Sequence, residues 1–322
     1  MLLRALPNLA AGTDEFRRWF LSRWGRENCV IHGEAIHADF GPYAHTLSIR
    51  AAWGGTEQCH SAGRTIGVDD DNFLVLNHGR VYATSIRASQ PVTSFAICFR
   101  PGLAESIHGA LTASLAEALA KGETLEDRQV EFAENLQTHD RTVSPILRYI
   151  KTHLLLGLDD EMWYEEQLQF LLARMQEHRD QTLRRIAELQ FIRGATRREI
   201  YRRIGFATDY LHTNYAQPLC LAVLARVACL SKYHFLRLFT LVHGTTPYAY
   251  LQRKRTNAAV RLLHTTQLTV GEVASRVGFA DRSTLLRRLV RGTGFTAVQV
   301  REQGQAREQE RATRRKRAQA QA

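Results

Sequence analysis

"VLARVACLSKYHFLRLFTLVHGTT" (223–246) and "VASRVGFADRSTLLRRLVRGTGFT" (273–296) decide how this chain is read. Set at an offset of 50 residues, they align without a gap. Val223/Val273, Arg226/Arg276, Val227/Val277, Leu236/Leu286, Arg237/Arg287, Gly244/Gly294 and Thr246/Thr296 are identical, and apolar residues agree at Phe235/Leu285 and Phe239/Leu289. Two copies are too few for a solenoid, so the pattern reads as a duplicated supersecondary unit. Each copy reads as helix, short turn, helix. Thr269 and Glu272 form a capping box. Gly278 supplies a left-handed turn position, and Ser231 and Asp281 stand as caps of the second helices. Helices joined by so short a turn make a helix-turn-helix, whose second helix offers outward side chains to the DNA major groove.

At about 100° per residue, Leu285, Leu289, Leu286 and Val290 share one arc, with Arg287, Arg288 and Arg291 opposite. Taken alone, this is an amphipathic helix with its charges in water; the repeat changes that reading. In the first copy Phe235, Leu238, Phe239 and Val242 form the buried arc, which leaves Tyr233, Leu236, Arg237 and Thr240 on another strip. Ser283, Leu286, Arg287 and Val290 take those places in the second copy. Arg237 and Arg287 are candidates for bidentate contact to guanine or for a phosphate clamp. Leu236 and Leu286 read either as thymine-methyl contacts or as the edge of the core. Lys232 and Arg282, in the first turn of each helix, can reach a phosphate or a base. Arg288 and Arg291 have no basic counterpart in the first copy and read as facing water or phosphate.

Charge supports a polyanionic partner. The net charge is +11, unevenly spread. Residues 193–322 carry 24 Lys and Arg against 7 Asp and Glu, while residues 1–192 carry 19 against 25. Basic charge gathered in one part of a chain is the footprint of nucleic acid or an anionic membrane. The 322 residues suffice for about two domains. Five cysteines without a C-x-x-C pair argue against a disulfide framework and fit a reducing compartment. "MLLRALPNLA" (1–10) has too short an apolar run for a signal peptide, and no long uncharged apolar stretch predicts a membrane span.

From about Cys29 to Pro101 the pattern is short β runs: "HTLSIRA" (45–51), "NFLVLN" (72–77), "RVYATSI" (80–86) and "TSFAICF" (93–99). Turn residues separate them, which predicts a β-sandwich or small barrel. Beyond Pro101, "LTASLAEALAKG" (111–122), "VSPILRYIKTHLLLGL" (143–158) and "MWYEEQLQFLLARMQEHRDQTLRRIAELQ" (162–190) repeat leucine at helical spacing. The end (301–322) has little to bury and reads as disordered or a frayed helix.

The chain resembles the AraC/XylS family of bacterial transcription regulators. The resemblance rests on "NYAQPLCLAVLARVACLSKYHFLRLFTLVHGTTPYAYLQRKRTNAAVRLL" (214–263) and "LTVGEVASRVGFADRSTLLRRLVRGTGFTAVQVR" (268–301). It implies two helix-turn-helix units bridged by a long helix, here "YAYLQRKRTNAAVRLL" (248–263), in successive major grooves of promoter DNA. By position it implies base reading by Tyr233, Leu236 and Arg237 and by Ser283, Leu286 and Arg287, with Lys232 and Arg282 adjacent. The first unit keeps the family's G-x-S/T-P-x-x-Y ending as "GTTPYAY", whereas the second has Ala297 for the proline and Val300 for the aromatic. Cys220 stands where a Ser or Thr cap is usual, and Leu289 replaces a phenylalanine. These departures imply a less tightly anchored second unit.

"DDDNFLVLNHGRVYATSIRASQPVTSFAICFRPG" (69–102) is similar to part of the family's cupin-like regulatory domain. The expected architecture is multidomain α+β. Residues 1–100 form a cupin-like β-barrel or sandwich for sensing or dimerisation, 101–200 a helical connector, 201–303 an all-α DNA-binding domain and 304–322 a basic tail. The resemblance implies a cytoplasmic, nucleoid-associated homodimer on double-stranded DNA, with a small effector and RNA polymerase as further partners. No cofactor and no catalytic residue is expected: there is no P-loop, G-x-S-x-G, H-E-x-x-H or dinucleotide fingerprint. One rival is a cupin-type metal enzyme. His32, His37, His45, His60 and His78 lie in the β region, but no His-x-His occurs, and "HGEAIH" (32–37) sends its histidines to opposite strand faces. The other rival is an architectural protein that binds DNA without sequence preference.

Overall fold

The computed structural model describes residues 1–7, 12–61, 63–112, 130–132, 134–187 and 194–306. The chain divides into two compact units, Met1–Asp209 and Tyr210–Ala322. The first is sheet-rich, the second helical, which together make a multidomain α+β protein.

In the first unit, helix α1 (Asp14–Arg23) follows the short strand β1 (Leu2–Leu3). The strands β2 (Cys29–Ala44), β3 (Ser48–Trp53), β4 (Glu57–Ser61), β5 (Arg64–Val68), β6 (Asn72–Leu76) and β7 (Val81–Cys98) come next. Helix α2 (Leu103–Thr112), strand β8 (Leu136–Thr138) and helices α3 (Ser144–Leu155) and α4 (Glu161–Ala187) complete it, and α5 (Gly194–Thr213) runs across the boundary. The strand order is β1-β2-β7-β3-β6-β8, with β4 joining β7 to β5. This path is open among the described residues, so the sheet does not close into the expected barrel.

β7 organises the sheet. Its second half pairs with the start of β2 and with β3, and its first half with the end of β2 and with β4. The β2 pairing jumps from Ala35↔Val92 to His37↔Arg87. Pro91, which has no N–H to give a ladder, falls in that gap, and the bulge bends both strands. The two runs expected at 80–86 and 93–99 are therefore one long bent strand.

Both faces of the sheet are covered. Ile49, Ala51, Phe73, Val75, Phe95 and Ile97 join Leu147, Ile150, Leu168 and Leu172 in one core. Ala52, Leu74, Leu76, Tyr82, Ile86 and Val92 join Cys59, Ile66 and Val68 in another. This explains why β6 is buried at every position rather than alternating. Each fully buried aliphatic side chain contributes about 1.5–3 kcal/mol. Asp209 on α5 accepts the Leu136 N–H at 2.9 Å and pairs with Arg64, which ties the helix to the sheet edge.

Helices α3 and α4 cover the expected 143–158 and 162–190 segments as far as residue 187. Most of the helix expected at 111–122, and the tail from 307 onward, lie outside the described residues. Residues 301–306 are helical.

The second unit holds α6 (Leu221–Val227), α7 (Lys232–His243), α8 (Pro247–Thr265), α9 (Val270–Arg276) and α10 (Arg282–Thr293), followed by helical residues 297–306 (α11). The long α8 packs against α7 and against both α9 and α10. It is buried on more than one side, at Tyr250, Leu251, Ala258, Ala259 and Leu263. Even Arg255 is 9% exposed: its guanidinium donates to the carbonyls of Tyr215 (2.7 Å) and Gln217 (2.8 Å). An inward-facing arginine thus holds the preceding loop.

Candidate nucleic-acid interface

The two helix pairs are built by local rules. Ser231 accepts the His234 N–H and starts α7; Asp281 accepts the Thr284 N–H at 2.7 Å and starts α10. Both helices are twelve residues long, and both end on a left-handed glycine, Gly244 (φ 65°) and Gly294 (φ 77°). Thr269 and Glu272 form the expected capping box of α9. Cys220 provides no side-chain cap to α6.

The first helices do not follow the offset of 50. Leu224 and Val273, Ala225 and Ala274, and Ala228 and Val277 are the matching buried positions, each 49 apart. The turn bonds agree: Leu230 N–H donates to Ala225, and Phe279 N–H to Ala274, both at 2.9 Å. The second turn is one residue longer, so the identities Val223/Val273, Arg226/Arg276 and Val227/Val277 do not mark equivalent places. A gapless alignment hides this because α-helical apolar spacing tolerates a one-residue slip over a short helix.

The second helices keep the offset of 50 and hold out a common strip. Lys232, Tyr233 (70% exposed), Leu236 (38%) and Arg237 are exposed on α7. On α10, Arg282, Ser283 and Arg287 are exposed, while Leu286 is half-buried against the core. Leu286 is thus an edge-of-core residue, and Leu236 is the freer of the two. Arg287 donates to the Thr284 hydroxyl at 3.3 Å. Arg291 is exposed. Arg288 is neither: it is half-buried, and its guanidinium lies over the Tyr248 ring and 3.4 Å from the Tyr248 hydroxyl. Tyr248, on α8, went unrecognised in the sequence because a contact across 40 residues leaves no local signal.

The potential along this strip is positive. Residues 210–306 contain thirteen Lys and Arg against three acids, Glu272, Asp281 and Glu302. Two of the acids serve as helix starts. Hydrogen bonds from the Thr284 backbone N–H to Asp281 and from the Thr269 side chain to Glu272 hold both carboxyls below their usual range.

Residues 224–303 match the family model described as a helix-turn-helix domain. This is an AraC-type helix-turn-helix domain. The chain is 30% identical over 99 residues to the bifunctional transcriptional activator/DNA repair enzyme AdaA of Bacillus subtilis (strain 168), across 31% of this chain and 47% of that protein. It is 36% identical over 73 residues to the HTH-type transcriptional regulator AlkR of Acinetobacter baylyi, across 23% and 24%. Among solved structures, the DNA-binding domain of the global transcriptional factor AdpA, in complex with a target DNA, is 28% identical, with a TM-score of 0.32, across 33% of this chain and 95% of that one. The chain spans less than half the length of the curated relatives it matches.

The AraC-type domain closes both units alike despite the departures near its end. Pro247 and Tyr250 are buried after the first unit, and Ala297 (4% exposed) and Val300 (1%) after the second. Thr296 and Gln299 exchange hydrogen bonds as a second capping box. Smaller residues occupy the anchoring sites without leaving them open to solvent.

In the other unit, His60 bonds Thr65 and Ser85, His32 is buried and His78 is exposed. Among the described residues, no group of three or more His, Cys, Asp or Glu is placed to hold a metal ion. No described helix is long and apolar enough to cross a membrane.

Proposed function

We propose that this chain is a sequence-specific, DNA-binding transcription regulator of the AraC type. The observation that carries this reading is the pair of equally long, similarly capped helices in one AraC-type domain, each with an exposed polar strip. Lys232, Arg237, Arg282 and Arg287 supply phosphate affinity and base contacts, Tyr233 and Ser283 polar contacts, and Leu236 a methyl contact. Leu286 contributes only its exposed edge. The two helices enter successive major grooves, about 34 Å apart along one face of the duplex.

Residues 1–100 act as a front of cupin-like plan that senses an effector, and 101–200 as the connector through which two copies pair. Residues 201–303 read the promoter. The protein works in the bacterial cytoplasm with RNA polymerase, and no catalytic step is assigned to it. The test is competition of genomic promoter fragments against random duplex at physiological salt. Preference for particular sites supports the reading. Equal affinity for every sequence overturns it in favour of an architectural protein.

A further inference from the structure

The sheet-rich unit contains a cavity of about 500 Å³, within the range of small-molecule sites. Its walls are largely apolar, with Leu6, Phe20, Trp24, Ile31 and Ala35 among them. Its polar lining includes Arg50 on β3, His45 just before it, His37 on β2 and Thr84 and Ser94 on β7.

Arg50 is 7% exposed. One of its terminal nitrogens donates to Glu57 at 2.7 Å and to Thr84 at 3.1 Å. Ser94 donates to the other Glu57 oxygen at 2.8 Å. The Arg50 Nε–H is buried and has no partner. His45 stacks on Tyr82, ring centroids 3.9 Å apart, and its Nδ1 is likewise buried without a partner. Buried polar atoms are normally paired, because leaving one unmet costs its full desolvation. Two such atoms on one apolar cavity mark where the polar head of a guest belongs.

The charge of that guest follows from its neighbours. Glu57 neutralises Arg50. Burial and the adjacent Arg50 charge push His45 down to about 4, so its ring is neutral at physiological pH; one ring nitrogen is bonded to the Tyr82 backbone, which leaves Nδ1 to accept a hydrogen bond. Glu34 and Asp39 also line the cavity. Arg87 holds Asp39 with bonds of 2.7 and 2.6 Å, as Glu57 holds Arg50, so these charges are already matched and a carboxylate or ammonium head buried here would lose its hydration without gaining a counter-charge from them. We infer that the cavity binds an uncharged, largely apolar small molecule whose hydroxyl or carboxamide head pairs with Arg50 Nε and His45 Nδ1. That occupancy alters DNA binding rests on the regulator reading; the binding itself does not.

The test is calorimetry on the full chain at about pH 7.5 with octanol, octanamide, octanoate and octylammonium. Octanol and octanamide should bind, and the two ions should bind at least about tenfold more weakly. Ala38→Trp fills the cavity from its rim and should abolish binding of the neutral probes. His45→Phe keeps the stack on Tyr82 but removes the nitrogens, and should weaken octanamide about tenfold. Three results overturn the inference: no binding of either neutral probe, an ion bound as tightly as octanamide, or affinity untouched in a folded Ala38→Trp variant. If promoter preference is absent while octanamide still binds, only the regulator reading falls.

Discussion

Cys229 and Gly278 occupy the same place in their two turns, 49 residues apart, although the helices that follow begin 50 residues apart at Lys232 and Arg282. Both have left-handed backbones, with φ of 51° and 86°. Glycine adopts that conformation freely, whereas cysteine adopts it at a cost.

The two positions should respond in opposite directions. A Cβ on Gly278 would lie 2.5 Å from the Ala216 carbonyl oxygen, so Gly278→Ala should destabilise the second unit by at least about 2 kcal/mol. Cys229→Gly removes a strained side chain and should stabilise it by up to about 1 kcal/mol, offset in part by unfolded-chain entropy. Urea unfolding measures both, and equal losses would mean that the turns are not equivalent.

Base reading and phosphate contact separate by mutation. Arg237→Ala or Arg287→Ala should weaken binding to a preferred site by about 1–3 kcal/mol and random duplex much less. Arg291→Ala should weaken both alike and lower the salt slope by about one. Gel-shift titrations over a range of salt distinguish them: equal losses for Arg237→Ala on both duplexes would assign Arg237 to phosphate alone.

Acid should loosen the helical unit through His243. It packs against Phe239 and Tyr250 at the end of α7, and burial followed by the Arg253 charge pushes it down to about 3. The unfolded chain binds this proton near pH 6.5 and the folded one does not. Stability is therefore complete above about pH 6.5 and lost as pH falls, by up to about 2 kcal/mol at pH 5. Unfolding at pH 7.5 and 5 should show that loss, and His243→Phe should reduce it.

The Arg50–Glu57 pair should be costly to break on one side. Both residues are buried, so Arg50→Met strands a carboxylate and should destabilise the sheet-rich unit by about 3–5 kcal/mol. Arg50→Met with Glu57→Leu should cost clearly less than the two single changes summed. Additive thermal-shift losses would show that the two charges do not depend on each other.

The sequence carried more of the helical unit than of the sheet. Caps at Ser231, Asp281 and Thr269 and the left-handed glycine at 278 are local signals, and the structure has them where expected; the helix-ending roles of Gly244 and Gly294 come from the structure. The offset of the first helices is not legible, because three identities coincide with a slip that only the longer turn reveals. For Leu286 a helical wheel does not separate base contact from core edge, since it does not say how deep the neighbours lie. The sheet was legible as β runs but not as an ordered path: the join of 80–86 to 93–99 through Pro91, and the open order, depend on partners far along the chain. An arginine within "HTLSIRA" was the available hint of a buried polar group. Its partner Glu57 lies on another strand, where spacing gives no clue.

Because α7 and α10 have the same number of residues between a polar cap and a left-handed glycine, each is a cassette. The segment Ser231–Gly244 can replace Asp281–Gly294 without touching the unequal turns that precede them. Transplants made cap to cap keep the framework in register, whereas transplants that carry the turn along displace it by one residue. If these helices read bases as proposed, specificity can be re-engineered one helix at a time.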